Sequence, residues 1–419
     1  MRGPRTFRSF LLIVLAAAAV RGVWTWANSS GPDEVRGDAV FFVQSARHLL
    51  KDHALADDSG NRAVRLPLYP AFLAAVFWVA RPSVAAAQAA QCLLGALTCG
   101  IIYLGALGFA AEEAALLAGW SAVFYYGLIG PCGRLLAESF YSFWLTVLFA
   151  AWFRCRGRWK EPAIAALSSA ALYLTRPEGA LAGLAVAAIG PGTRRGWKLV
   201  HSLAVAACLG AAMLAWGARN QRALGRFTPG STGAGFSFWA GLPRTMSEKL
   251  SASPSVAWAP AGASEQERDA YYWKLGADQL RSTPPLALAR AAAFNLASAY
   301  YPFLPRFELT YVLLLPLWLW AFWAGLRRRE LWPAMGVLVA WSALYVVFGG
   351  HDSRFRQSFA PLLLWLAAAG FEDLRGRIPL ARLQVAAGLW ASLNVFVFLF
   401  APRARLLALA ARDALWGIR

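Results

Sequence analysis

Apolar runs of about 20 residues recur along this chain, each long enough to carry a helix across a bilayer. Nearly all of the charge is collected in the short stretches between them. In hydrocarbon every backbone N–H and C=O must be bonded within the chain, which leaves helices and closed barrels. Runs this long and this continuously apolar are helical. Composition agrees, because 58% of the 419 residues are hydrophobic and only 15% are charged, against about 25% charged in an ordinary soluble domain. The expected fold is an all-α polytopic membrane protein, a single integral membrane domain over 1–419 with no separate soluble domain.

A formal net charge of +19 fits nucleic acid when the charge covers one surface. Here the basic residues form short clusters between apolar runs: RCRGRWK (154–160), RRGWK (194–198), RRR (327–329) and RGRIPLAR (375–382). That is the positive-inside pattern, so membrane lipids are expected partners and nucleic acid is not. The amino-terminal stretch carries three arginines and then runs apolar, past signal-peptide length, to Trp24 and Trp26. It reads as an uncleaved first helix near 9–27 with its amino end in the cytoplasm. Keeping every basic cluster inside places further spans near 84–107, 112–128, 139–153, 163–176, 178–190, 199–217, 309–326, 331–349, 357–371 and 383–401, about eleven in all. The segment 65–83 is apolar but short, with Pro67 and Pro70 at its start. A crossing there would invert every later cluster, so it is read as interfacial or re-entrant. The outer loops are then 28–83, 129–138, 176–178, 218–308 and 350–356.

Five cysteines without a CxxC pair read as small buried hydrophobes. Four scattered histidines without HExxH give no reason to expect a metal site. No cofactor motif is present, and none that would call for a divalent cation.

Carboxylates stand out in so apolar a chain. In NSSGPDEVRGDAVFFVQSARHLL (28–50), Phe41, Phe42, Ser45, Ala46, Leu49 and Leu50 recur at helical spacing. The stretch from Asp38 therefore reads as an amphipathic helix at the membrane surface. Asp38 at its amino end fits an N-cap and a catalytic carboxylate alike. Glu138, at the outer end of an apolar run, is costly unless paired or wet, and Arg134 one turn earlier is within reach of it. TRPEG (175–179) sets Arg176 and Glu178 on either side of Pro177, and DSRFRQS (352–358) holds Asp352, Arg354 and Arg356. Arg65 precedes PLYP. A local ion pair or a solvated loop accounts for each of these alone. Together they concentrate acids and arginines at the outer ends of helices.

These residues resemble, in order, the motifs of polyprenyl-phosphate-sugar-dependent glycosyltransferases of the GT-C class. They are similar in particular to the bacterial relatives of dolichyl-phosphate-mannose protein mannosyltransferases and of the lipid A aminoarabinose transferase. The first outer loop of that family has an Asp, an aromatic four residues on, a small residue eight on and a later basic-x-P-L-Y. Here these are Asp38, Phe42, Ala46 and then Arg65, Pro67, Leu68 and Tyr69. LLAESFYSF (135–143), TRPEG, WGARNQRALGRFTPGSTGAGFSFWAGLP (216–243) and DSRFRQSFAPLLL (352–364) continue the likeness over nearly the whole chain. Many relatives carry Asp-Glu at the first acid; here Ala39 follows Asp38. The Asp33–Glu34 pair supplies the dipeptide at the wrong spacing and stays a second choice.

The resemblance implies transfer of a sugar from a polyprenyl-phosphate donor to a lipid, glycan or protein acceptor on the outer face of a bacterial inner membrane, with inversion. It implies Asp38 and Glu138 as the catalytic carboxylates and Arg65, Arg176, Arg354 and Arg356 as holders of the donor phosphate. Tyr69, Glu178, Arg219, Asn220 and Asp352 are further candidates. The 28–83 loop would be catalytic and the 218–308 loop would bind acceptor or donor. A lipid-linked sugar transporter or flippase is the alternative; its usual marks, repeats and mid-membrane polar residues in broken helices, are not seen in the sequence.

Overall fold

The computed structural model describes residues 3–28, 35, 37–155, 158, 160–190, 195–242, 259–301, 308–348 and 354–400, with scattered residues beyond. The described residues form helices and no strand. In chain order the helices are α1 (Pro4–Asn28), α2 (Asp38–Lys51), α3 (Leu68–Ala80), α4 (Val84–Ala106), α5 (Glu112–Phe124), α6 (Tyr126–Ile129), α7 (Ala137–Phe153), α8 (Lys160–Thr175), α9 (Gly179–Ile189), α10 (Arg195–Leu224), α11 (Ala234–Gly241), α12 (Glu265–Ser282), α13 (Pro285–Tyr300), α14 (Leu309–Gly325), α15 (Trp332–Phe348), α16 (Arg354–Gln357), α17 (Ala360–Arg377) and α18 (Leu380–Leu399).

Every one of the expected spans falls on a helix, and fewer than eleven of these helices have a full spanning length. Among the described residues, five helices are long and apolar enough to cross a membrane, or six if α5 and the segment 126–133, bent by 63° to one another, form one span. α9 has 11 residues, about 17 Å at helical rise, where a bilayer core needs about 30 Å. α3, with 13 residues, is likewise too short to cross, in keeping with the reading of 65–83 as interfacial or re-entrant.

The centre of the bundle is α17. Residues 360–370 are buried on every side, as expected of a helix with no polar face, and the Trp365 indole N–H donates to the Ile102 carbonyl at 2.9 Å. Around it α1, α4, α5, α7, α8 and α14 share one continuous apolar core. A second, smaller core joins α2 and α3 to the start of α7 through Phe42, Ala46, Tyr69, Leu73 and Phe140. The apolar face of α2 is thus covered by α3, with Phe42 edge-on to Tyr69 at 4.8 Å.

The bundle has two unlike ends. At one, Arg375 pairs with Glu113 at 3.1 Å, Arg328 donates to the Phe109 carbonyl at 2.8 Å, and the Trp152 indole donates to the Glu330 carbonyl at 3.0 Å. Arg154, which donates to the Leu104 carbonyl at 3.4 Å, Arg328 and Arg375, from three of the basic clusters, therefore lie at this end. α7 and α8 run from this end to the other, where Glu138 and Arg176 lie. The α8–α9 turn there is tight, with the Gly179 N–H donating to the Arg176 carbonyl at 2.8 Å. A Cβ on Gly179 would stand 2.4 Å from the Leu172 main chain. Gly179→Ala is expected to displace this turn and lower the thermal unfolding midpoint, at a cost of about 1–3 kcal/mol, measured on protein purified in detergent.

Candidate active site

Five chain segments place charged or polar groups together at the end opposite the basic clusters. The first is the start of α2. Its N-cap is Gly37, at φ +60°, a conformation that favours glycine. Asp38 is the first helical residue, and its Oδ1 accepts from Arg65 Nη2 at 3.0 Å. Arg65 comes from the second segment, the non-helical stretch that leads into α3.

The third segment is the start of α7. Leu135 has φ +50°, which breaks the chain before the helix begins at Ala137. Arg134 is therefore not one turn before Glu138 on a common helix, and it donates to the Tyr126 hydroxyl at 2.9 Å. Glu138, 5% exposed, lies 3.7 Å from Arg176. The fourth segment is the α8–α9 turn, where Arg176 Nε meets Glu178 at 2.7 Å. The fifth is the bend between α16 and α17: Arg176 Nη1 donates to the Ser358 hydroxyl at 3.1 Å, and the Ser142 hydroxyl donates to the Ser358 carbonyl at 3.2 Å.

Burial alone would lower the Arg176 pKa. The fields of Glu178, Glu138 and, more weakly, Asp38 outweigh it and hold the pKa above its usual value. The guanidinium stays charged, and Asp38 is close enough to act on it. Asp38, Arg65, Glu138, Arg176 and Glu178 thus form one electrostatic group. Tyr69 walls it from behind: fully buried, it donates to Gln91 Oε1 at 2.9 Å.

Other expected residues lie elsewhere. Arg356 is 1% exposed and 3.0 Å from Glu308, which is 2% exposed. It also donates to the Ala299 carbonyl at 2.8 Å and lies 4.1 Å over the Tyr311 ring. A guanidinium enclosed in this way has no face for a phosphate, so Arg356 is a joint between α13, α14 and α16 and not part of the open group. Arg219 donates to the carbonyls of Arg62 at 2.7 Å and Leu55 at 3.0 Å, and Asn220, buried, donates to the Thr228 carbonyl at 2.7 Å. Arg219 fastens the segment before α3, and Asn220 the stretch that follows α10. Asp33, Glu34, Asp352 and the side chain of Arg354 lie outside the described residues.

An open cavity of about 350 Å³ lies beside two of these segments: Pro67 and Leu174, two residues along the chain from Arg65 and Arg176, line it with Leu55, Ala212, Ala215, Trp216 and Arg219. Its walls are almost wholly apolar, with one arginine at the rim. Among the described residues no group of three or more His, Cys, Asp or Glu is placed to hold a metal ion.

Residues that sequence reasoning missed are Ser358 and Glu308. A serine beside two arginines carries no signal of its own, and Glu308 falls at the join of a loop and an apolar helix. Depth was the available clue for Glu308, as it was for Glu138.

Two outcomes are expected of these contacts. Glu308→Ala leaves Arg356 buried without its counter-charge and lowers stability by about 3–5 kcal/mol. Replacing the pair together, Glu308→Leu with Arg356→Met, loses less; thermal unfolding compares them. The second concerns His48, whose Nδ1 meets Asp52 at 2.7 Å and Nε2 meets Asp58 at 2.9 Å. Hydrogen bonds to Asp52 and then Asp58 raise its pKa from 6.5. Both bonds need the imidazolium, since a neutral ring donates once. Their stabilisation is full below pH 6.5 and is lost as pH rises through the higher folded value. Unfolding midpoints followed against pH are expected to fall across that range in the wild type and to lose this step in His48→Gln.

No family model matches the chain, and no curated protein matches it either. Solved structures do. The oligosaccharyltransferase AglB from Archaeoglobus fulgidus, solved with an inhibitory peptide and a dolichol-phosphate, aligns over 96% of this chain at 14% identity with a TM-score of 0.51. A structure of the Archaeoglobus fulgidus oligosaccharyltransferase with Zn and sulfate aligns over 93% at 14% identity, with a TM-score of 0.55. ArnT from Cupriavidus metallidurans, bound to undecaprenyl phosphate, covers 87% of this chain and 77% of its own at 13% identity, with a TM-score of 0.42. The chain spans about half the length of the archaeal enzyme, 55% and 52% in the two structures. Over nearly its whole length, this chain has the fold of the Archaeoglobus fulgidus oligosaccharyltransferase.

Proposed function

We propose that the protein is a membrane glycosyltransferase that moves a sugar from a polyprenyl-phosphate donor to an acceptor, with inversion at the anomeric carbon. It works on the outer face of a bacterial inner membrane, with its amino terminus and basic clusters in the cytoplasm. The observation that carries this reading is the meeting of Asp38, Arg65, Glu138, Arg176 and Glu178 at one end of the helices, beside an apolar cavity.

In this reading the donor's phosphate approaches Arg65 and Arg176, and guanidinium forks hold its oxygens by charge-assisted bonds. Arg65 is bonded to Asp38 at rest. A phosphate that takes Arg65 releases Asp38 to accept a proton. The acceptor's hydroxyl gives that proton to Asp38 as its oxygen bonds to the anomeric carbon. The bond from that carbon to the phosphate oxygen breaks, and the lipid phosphate leaves with the electron pair. Arg176 offsets the charge that grows on the leaving oxygen, and Glu138 and Glu178 hold it in place. Lipid, glycan and protein acceptors all fit this chemistry. The roles assigned to these residues involve no divalent cation.

The test uses purified protein in liposomes, a panel of radiolabelled polyprenyl-phosphate sugars and membrane-extract acceptors. Turnover is expected in the wild type and a fall of about 10² or more in Asp38→Asn, the scale of a lost general base, with folding unchanged. Equal turnover in the two proteins would remove Asp38 from the mechanism. Sugar carried across the bilayer without release of lipid phosphate would replace the transferase reading with transport.

A further inference from the structure

Arg65 sits at the end of a stretch that has no helical backbone of its own, between α2 and α3. Its position depends on whatever satisfies the main chain just before it. That satisfaction comes from the far outer loop, some 170–200 residues on in sequence. Glu265, the first residue of α12, is buried. Its Oε2 accepts from the Arg62 N–H at 2.7 Å and its Oε1 from the Ala63 N–H at 2.9 Å. The Thr232 hydroxyl donates to the same Oε1, and the Thr232 N–H donates to the Ala63 carbonyl at 3.0 Å. With Arg219 on the Arg62 carbonyl, all four main-chain groups of Arg62 and Ala63 are taken up. Arg268 donates to the Asn61 side chain. A Cβ on Gly233 would lie 3.3 Å from Arg65 Nη1, so the head of α11 lies directly against the guanidinium.

All three partners of the Glu265 carboxylate are donors. Two oxygens with no attached hydrogen are needed to meet them. Glutamine has the same shape, but its NH2 would face an N–H. A helix start alone would not demand this residue, since Ser264 and Glu267 already form the capping box of α12.

We propose that Glu265 is a positioning residue for Arg65. From the 218–308 loop it fixes residues 62–65, sets the guanidinium against Asp38 and ties the outer loop to the charged group. The functional half of this inference rests on the reading of that group as the donor phosphate site.

The test compares Glu265→Gln, Arg65→Ala and the double variant, as full chains in lipid nanodiscs, with two readouts. Hydrogen exchange at the amides of Arg62 and Ala63 is expected to quicken about tenfold or more in Glu265→Gln, and to stay at the wild-type rate in Thr232→Ser, which keeps the hydroxyl. Binding of undecaprenyl phosphate is expected to weaken about tenfold in Glu265→Gln. The double variant should bind no more weakly than Arg65→Ala alone, because the two residues act through one guanidinium. Unchanged exchange, or losses that multiply in the double variant, would overturn the proposal. If the wild type binds no undecaprenyl phosphate, the donor-site reading falls, and the exchange result alone decides whether Glu265 holds this segment. If Glu265→Gln does not fold, Thr232→Val removes one of the three bonds, and faster exchange at Ala63 is the result to expect; an unchanged rate there also overturns the proposal.

Discussion

A guanidinium cannot be put into a helical bundle alone, and Arg176 is where this chain meets that constraint. Desolvating a charge costs several kcal/mol unless partners replace the water. Arg176 finds them in Glu178 on its own turn, in Glu138 at the start of α7 and in Ser358 at the bend before α17. Each lies at a helix end, so satisfying one cation sets where three helix ends meet. Ser142, one turn into α7, holds the Ser358 carbonyl and closes the circuit. The open pair, Asp38 with Arg65, is built onto this frame through the small core of α2, α3 and the start of α7.

The same constraint is solved differently a short way off. Arg356 and Glu308 are sealed from water and bind three segments together. A sealed pair is a joint. It gives little net stability over an apolar packing, yet costs much when half of it is removed. Two arginines that look alike in sequence, each just before or after an apolar run, thus differ in setting: Arg176 keeps 17% of its side chain exposed and Arg356 only 1%.

Much of this was readable beforehand. The apolar runs located the helices, and the positions of Asp38, Arg65, Glu138, Arg176 and Glu178 at helix ends placed them on one side of the bundle. Whether a run crosses was less readable: α9 is apolar enough and too short. The proposed Arg134–Glu138 pair assumed a continuous helix, and the left-handed Leu135 between them is invisible to periodicity. Arg356 is enclosed by Glu308 and the Ala299 carbonyl, and Arg219 bonds the Arg62 and Leu55 carbonyls, for a related reason. Sequence gives the depth of a charge along its helix, not which neighbour will enclose it. The clamp of Glu265 on Arg62 and Ala63 joins residues about 200 positions apart and has no local pattern at all.

Exposure rises steadily across the charged group, from 5% at Glu138 through 17% at Arg176 and 23% at Glu178 to 35% and 36% at Asp38 and Arg65. That gradient sorts the pairs by what they can do. At the buried end a charge left alone is expensive, so Glu138 and Glu178 stay with Arg176. At the open end water screens the pair, and an ion pair so exposed contributes at most about 1 kcal/mol. An incoming anion can therefore exchange with Asp38 on Arg65 at small cost, while Arg176 keeps its frame. The open end adjoins the apolar cavity by way of Pro67, two residues after Arg65. A ligand with a charged head and an apolar tail can satisfy both environments at once. A ligand that is polar throughout leaves the cavity wall unmatched.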